Sequence, residues 1–278
     1  MPGWTFWIDR GGTFTDIIAH DAAGAEHTAK LLSASAAYDD AAVEGMRRLM
    51  GVAAGAPFPA GQVTAIKMGT TVATNALLER KGAKTLFVTT KGFGDSLLIG
   101  DQSRADLFAL AVRRPDPLHA GVLEIDERLA ADGSVVTPPD ISSAQTGLLG
   151  AMLEGYASVA IAFPHSDLNP DHERRVGDIA RRLGFEYVCL SHEVSPLPRF
   201  LPRAETAVAD AYLTPVLAAY VRQVSQAVAG APLYFMTSAG SLVSAERFLG
   251  RDAVVSGPAG GVGGVARIAE AAGAVQAL

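Results

Sequence analysis

The sequence has 278 residues, 49% of them hydrophobic and 19% charged, enough apolar material for one large domain or two small ones. Its net charge of −6, from 23 basic and 29 acidic residues, with basic residues gathered no further than pairs such as Arg113-Arg114 and Arg181-Arg182, argues against a nucleic-acid surface. One cysteine excludes an internal disulfide framework, no apolar run approaches the ~20 residues that span a bilayer, and the start lacks a signal peptide's pattern; a cytoplasmic protein is expected.

The first informative stretch comes early. Trp4 to Ile8 is an aromatic and β-branched run that ends on Asp9, turns through Gly11 and Gly12, and resumes as Thr13-Phe-Thr-Asp16 before Ile17-Ile18-Ala19. The pattern predicts a β-hairpin with strands over 5–9 and 13–20 about a turn at 10–12. Gly11 and Gly12 are expected to take positive φ and to let an anion approach the backbone N–H groups. The hydroxyls of Thr13 and Thr15 add donors, and Asp9 and Asp16 stand where a hydrated Mg2+ would neutralise phosphate charge. A Gly-Gly turn between Thr and Asp also serves ordinary hairpins. Two carboxylates bracketing Gly-Gly-Thr directly after an apolar strand favour the phosphate reading.

A third strand is expected over 26–31, then a helix opened by Asp39 and Asp40 and closed by Gly51, then a strand over 63–68. That strand delivers Gly69, Thr70 and Thr71 to the start of a helix that Gly82 ends. Thr70 and Thr71 suit an anion there, and a plain Thr N-cap is the alternative. A strand over 84–90 and a short helix to Ile99 lead into Gly100-Asp-Gln-Ser-Arg104, where Gln102 and Arg104 suit an amide and a carboxylate; a solvated loop fits the same composition. Residues 122–129 and 134–137 read as a hairpin about Asp132-Gly133.

From Pro138 the pattern alternates: a helix from Asp140 to Leu153, a strand over 158–163, a helix from Asn169-Pro170 to Leu183, and a strand over 187–191. This implies a parallel pair with a right-handed crossover. His165, Asp167 and His172 match no compact metal-ligand spacing and read as solvated, as do Glu173-Arg174-Arg175 on the helix's wet face. Cys189, inside an apolar strand, reads as a small hydrophobe. Pro196, Pro198 and Pro202 mark the main boundary. The helical pattern over 203–229 holds Pro215, which predicts a kink or two abutting helices. A strand over 233–236 then delivers the polar turn 237–241 to the kind of edge where open α/β sheets line a ligand crevice. Finally Ser256-Gly-Pro-Ala-Gly-Gly-Val-Gly-Gly264 opens a helix. Glycine costs roughly 1 kcal/mol against alanine at each helical position, so this run implies close packing on a backbone or a ligand, with a glycine-rich loop as the alternative.

These stretches carry a resemblance. Asp9-Arg-Gly-Gly-Thr-Phe-Thr-Asp16 resembles the first phosphate motif of the actin/hexokinase/Hsp70-like ATPases and, more narrowly, of the hydantoinase A/5-oxoprolinase family; Arg10 is more like the 5-oxoprolinase branch. The segment 69–82 is similar to that family's Gly-Thr-Thr-x-Ala-Thr-Asn-Ala-Leu-Leu-Glu-Arg signature, and 100–104, 191–196 and 256–261 are similar to further family segments. The resemblance implies an α/β fold, a ribonuclease H-like/actin-like ATPase lobe that starts with a phosphate-binding β-hairpin and holds an inserted α/β subdomain. The second lobe is expected to be absent, because the family's second phosphate hairpin does not appear before Leu278. It further implies an N-terminal domain over 1–200 and the beginning of the next over 201–278.

By the same resemblance the cofactors are ATP and Mg2+. Asp9 and Asp16 are the catalytic and metal-holding residues, and Gly11, Gly12, Thr13, Thr15, Thr70, Thr71, Gly257 and Gly260 contact the nucleotide. Asn75, Gln102 and Arg104 contact the substrate. The implied activity is ATP-dependent opening of 5-oxo-L-proline to L-glutamate, with ADP and phosphate released. ATP-dependent hydantoin hydrolysis, a ketone carboxylase subunit, and a non-catalytic domain that docks to a partner are the alternatives. The implied partners are a small cyclic amide, a second family subunit and further copies of the chain.

Overall fold

The strict alternation of Phe6, Ile8, Ile17 and Ala19 inward with Trp7, Asp9, Asp16 and Ile18 outward makes the first two strands one face of a sheet. A computed structural model describes residues 3–101, 108, 110, 111, 114–228 and 230–274. The expected contacts Gln102 and Arg104 lie outside the described residues. In chain order the elements begin with β1 (Trp4–Arg10), β2 (Phe14–His20), β3 (Glu26–Leu32), α1 (Ala41–Leu49), β4 (Val63–Thr70) and α2 (Val72–Leu78). They continue with β5 (Thr85–Thr90), α3 (Ser96–Ile99), β6 (Gly121–Ile125), β7 (Arg128–Leu129), β8 (Val135–Thr137), α4 (Ile141–Leu153) and β9 (Ser158–Ala162). Then come α5 (Asp171–Leu183), β10 (Tyr187–Leu190), α6 (Ser191–Val194), α7 (Phe200–Ala227), β11 (Leu233–Met236), β12 (Leu242–Ser244), α8 (Gly250–Ala253) and α9 (Ser256–Ala271). Two compact units result: Met1–Lys81 with Val216–Leu278, and the inserted Gly82–Pro215.

The first unit is built on a six-stranded sheet in the order β12-β11-β4-β1-β2-β3. β1, β2 and β3 form an antiparallel meander, β4 runs parallel to β1, and β11 runs parallel to β4. The carboxyl ends of β1, β4 and β11 therefore leave the sheet at one edge. Helix α1 covers the inner face; a Cβ added at Gly45 would come within 2.1 Å of Ile17 Cδ1, which is why glycine stands there. Asp40 caps α1 as expected, accepting from the Ala42 and Val43 N–H groups at 2.9 and 3.0 Å. Helix α2 stops at Leu78 rather than at Gly82, with Arg80 in the left-handed region at φ 56°.

The second unit has four parallel strands in the order β10-β9-β5-β6. Val88, Val159 and Ile161 meet Leu148, Val176 and Ile179 on the face covered by α4 and α5. On the other face Phe87, Ala160 and Cys189 meet Ala204, Ala207 and Val208 of α7. The expected hairpin over 122–137 divides: β6 joins the parallel sheet, and only β7 pairs with β8. Helix α7 continues through Pro215 as one helix, which removes the alternative of two abutting helices.

The expected wet face of α5 needs a larger correction. Glu173 is fully buried, and His172 is 2% exposed. The Glu173 carboxylate accepts from Phe163 N–H at 3.0 Å, from the Ser191 hydroxyl, and from the His192 N–H at 3.1 Å, and it pairs with His192 Nδ1 at 2.6 Å. Arg203, itself fully buried, stands 3.4 Å from Glu173 and 3.5 Å from Asp167 and donates to Phe163 O at 3.1 Å. His172 bonds Glu127 at 2.6 Å. The first turn of α5 dips into the carboxyl edge of the sheet, so its second and third residues face inward while Arg174 and Arg175 stay in water. Burial lowers the Arg203 pKa, and Glu173 and Asp167 oppose that shift. Replacing Glu173→Gln leaves the guanidinium short of its counter-charge and is expected to cost about 3–5 kcal/mol. Urea unfolding of wild type and variant measures it.

Candidate functional site

The hairpin between β1 and β2 turns over Gly12 and Thr13, closed by Gly11 N–H donating to Phe14 O at 3.0 Å. Neither Gly11 nor Gly12 has positive φ, contrary to expectation. Gly11 is required for closeness instead, because an added Cβ would lie 2.9 Å from Phe14 O. At Gly12 an added Cβ would lie 3.2 Å from Asn75 Nδ2, so Asn75 stands over the tip. Gly12 and Thr13 are exposed, and among the described residues their N–H groups meet no acceptor.

The register sets Asp9 opposite Asp16 across the hairpin and opposite Gly69 across the parallel pair. Both carboxylates point away from the core. Burial of its carboxyl, and secondarily the nearby Asp16 charge, raise the Asp9 pKa above the usual carboxylate range. Asp16 is held by Lys30 Nζ, at 2.7 and 3.0 Å from its two oxygens.

The other predicted hydroxyls turn inward. Thr15 is fully buried, with its hydroxyl 3.0 Å from Ser33 Oγ, and Ser33 in turn donates to Gly11 O at 2.7 Å. Thr70, 1% exposed, accepts from Val72 N–H at 3.3 Å. Thr71 takes the N-cap position of α2 but does not cap it; its N–H and hydroxyl both donate to Arg10 O, at 3.1 and 3.2 Å. These three threonines brace the tip. Ser33 Oγ and Lys30 were missed in the sequence. The β2–β3 register pairs Asp16 with Lys30, whereas a serine just past a strand end carries no pattern that announces it.

Two further segments reach the same edge. Thr237 N–H donates to Ser241 O at 2.8 Å, closing the turn after β11, and Gly240 has φ 75°. At the start of α9 Ser256 donates to Thr70 O at 3.2 Å, tying that helix to the end of β4. An added Cβ at Gly257 would meet nothing within 4 Å, and at Gly260 only Met236 at 3.9 Å. Close backbone packing in this unit therefore does not explain Gly257, Gly260, Gly261 or Gly264. Among the described residues no cluster of three or more acidic, histidine or cysteine side chains forms a metal site, and no helix is long and apolar enough to cross a membrane.

An antiparallel meander continued by parallel strands, with a bare glycine hairpin at their carboxyl edge and an inserted α/β unit, defines an actin-like lobe. Residues 5–184 match the hydantoinase/oxoprolinase N-terminal region, and residues 203–278 match the hydantoinase/oxoprolinase domain that follows. The chain belongs to the hydantoinase/oxoprolinase family. It is 44% identical to the 5-oxoprolinase of Saccharomyces cerevisiae over 92% of its length, and 41% identical to 5-oxoprolinase 1 of Arabidopsis thaliana over 93%. It spans 23% of the length of each of these relatives. The ATP-dependent caprolactamase of Pseudomonas jessenii superposes with a TM-score of 0.82 at 28% identity, over 97% of this chain and 41% of that one.

The opposed carboxylates make a direct test. Asp9, followed by NMR, is expected to take up its proton above the ~3.9 of an unperturbed aspartate as pH falls. Asp16→Asn is expected to lower that midpoint, because it removes the adjacent negative charge.

Proposed function

We propose that this chain supplies the first phosphate-binding hairpin of an ATP-dependent cyclic amide hydrolase that opens 5-oxo-L-proline to L-glutamate and releases ADP and phosphate. The observation that carries it is the hairpin: two exposed N–H groups at a bare tip, next to a carboxylate whose charged form is disfavoured until a cation arrives. The residues fit the implied groups. The N–H groups of Gly12 and Thr13 meet no acceptor among the described residues, with Asn75 as the side chain nearest Gly12; Mg2+ beside Asp9 would offset both its desolvation cost and its repulsion from Asp16. Bound ATP would supply a transferable phosphoryl group that makes an unstrained lactam carbonyl open to water.

In this reading Gly11 and Gly12 shape the tip, Gly12 and Thr13 hold phosphate oxygens, and Asp9 holds the metal, with Asp16 as its neighbour. Thr15, Thr70 and Thr71 keep the tip rigid. Gly257 and Gly260 present no side chain at the start of α9 on the same edge, and Asn75 lies close enough to the tip to meet a ligand there. The 5-oxoprolinase names of the similar chains support the substrate. The family boundaries support reading 1–200 as one sequence module and 201–278 as the start of another. A cytoplasmic location and assembly with a second family subunit complete the proposal.

The full-length protein should form glutamate from 5-oxoproline only with ATP and Mg2+, at a rate well above that with hydantoin or acetone in place of the lactam. Asp9→Asn should lower turnover about a hundredfold or more, with the circular dichroism unchanged. Undiminished turnover in that variant, or phosphate release that is faster with acetone, overturns the assignment.

A further inference from the structure

Alternation along β1 sends the side chains of Asp9 and Arg10 to opposite faces of the sheet. Asp9 goes outward with Trp7. Arg10 goes inward with Phe6 and Ile8, into a slot between the cap of α1 and the later part of α7. There its guanidinium lies 4.8 Å from the centroid of the Tyr220 ring, and its Nε stands 3.5 Å from Asp40 Oδ2. Asp40 and Tyr220 are 6% and 8% exposed, so both contacts are largely removed from water. Asp40 is not free to swing away, because its other oxygen caps α1. Burial, first, and Asp40, second, push the Tyr220 phenol far above its usual pKa, so the ring stays neutral.

The backbone of the same residue is held as firmly. Arg10 O accepts both the N–H and the hydroxyl of Thr71. One residue thus ties the tip to the β4–α2 junction through its carbonyl and to α1 and α7 through its side chain. A planar guanidinium between a carboxylate and an aromatic face is fixed in position and tilt, which a lysine ammonium reproduces only in charge.

We propose that Arg10 is a positioning residue, seated between Asp40 and Tyr220 so that the tip holds one twist and Asp9, its neighbour on the outer face, keeps its aim on the metal. The inference rests on the reading of Asp9 given above. It assigns Arg10 no contact with nucleotide or substrate.

The test uses the full-length protein below the unfolding temperature of each variant, and follows both phosphate release against Mg2+ concentration at saturating ATP and the binding of Mn2+ beside a non-hydrolysable ATP analogue, read by electron paramagnetic resonance. Arg10→Met is expected to raise the Mg2+ requirement about tenfold, with little change in the KM for ATP, and Arg10→Lys to recover part of the loss. Asp40→Asn removes the counter-charge while asparagine still caps α1, and it should shift the Mg2+ curve in the same direction. In an Asp9→Asn background Arg10→Met should add nothing further.

A fall in kcat with an unchanged Mg2+ curve, or Arg10 and Asp9 effects that multiply independently, would reduce Arg10 to a structural role and overturn the inference alone. Normal turnover in Asp9→Asn by itself would instead remove the metal reading and the inference together.

Discussion

Two carboxylates are held face to face by strand register. Pairing Asp9 with Asp16 across the hairpin places like charges at directly opposed positions, an arrangement that costs a sheet stability rather than adding to it. Lys30 offsets the cost for Asp16. Among the described residues no such cation pairs with Asp9, and burial first, then the Asp16 charge, raise its pKa. A site with an unrelieved negative charge beside unpaired N–H donors suits a ligand that brings cation and anion together, as a metal–phosphate pair does. The surrounding bracing has meaning only in relation to this pair. Ser33, Thr15, Thr71 and Arg10 tie the backbone beside the pair to its neighbours: Ser33 bonds Thr15 and Gly11 O, Thr71 bonds Arg10 O, and Arg10 reaches Asp40 and Tyr220.

What the sequence revealed and what it hid follow a physical line. β1, β2, α1 and the strands β5, β9 and β10 of the second unit were legible because alternation, an aspartate cap and apolar runs are local signals, strong over five to ten residues. The turn over Gly12 and Thr13, just past Asp9, was legible for the same reason: glycines after an apolar run mark where a strand ends. The direction each threonine faces was not legible. Thr15, Thr70 and Thr71 lie on the expected segments, yet their hydroxyls serve neighbours 18, 2 and 61 positions away. Only the fold brings Thr15 to Ser33 and Thr71 to Arg10, whereas Thr70 turns to the start of its own helix. The positive φ expected at Gly11 and Gly12 failed because glycine also serves where space is short, against the Phe14 carbonyl at Gly11 and the Asn75 side chain at Gly12.

Glu173 failed for another reason. In Glu173-Arg174-Arg175 the run of charges looks solvated, and two of the three residues are. Helical geometry turns neighbours by about 100° each, so a residue beside two wet ones can still face the core. The partner that makes its burial tolerable, Arg203, lies 30 positions on, beyond three prolines that look like a boundary.

That ion pair bears on how the polypeptide can be divided. Glu173 falls in the first of the two family regions and Arg203 opens the second, one sequence module supplying the anion and the next the cation that makes it bearable. A shortened gene product stopped at residue 184 would keep the acid, the Phe163 carbonyl and the strand below them, and lose the guanidinium that joins them. Expression fragments of this part of the family should therefore be cut with regard to the helix that begins at Phe200, whatever the sequence modules suggest.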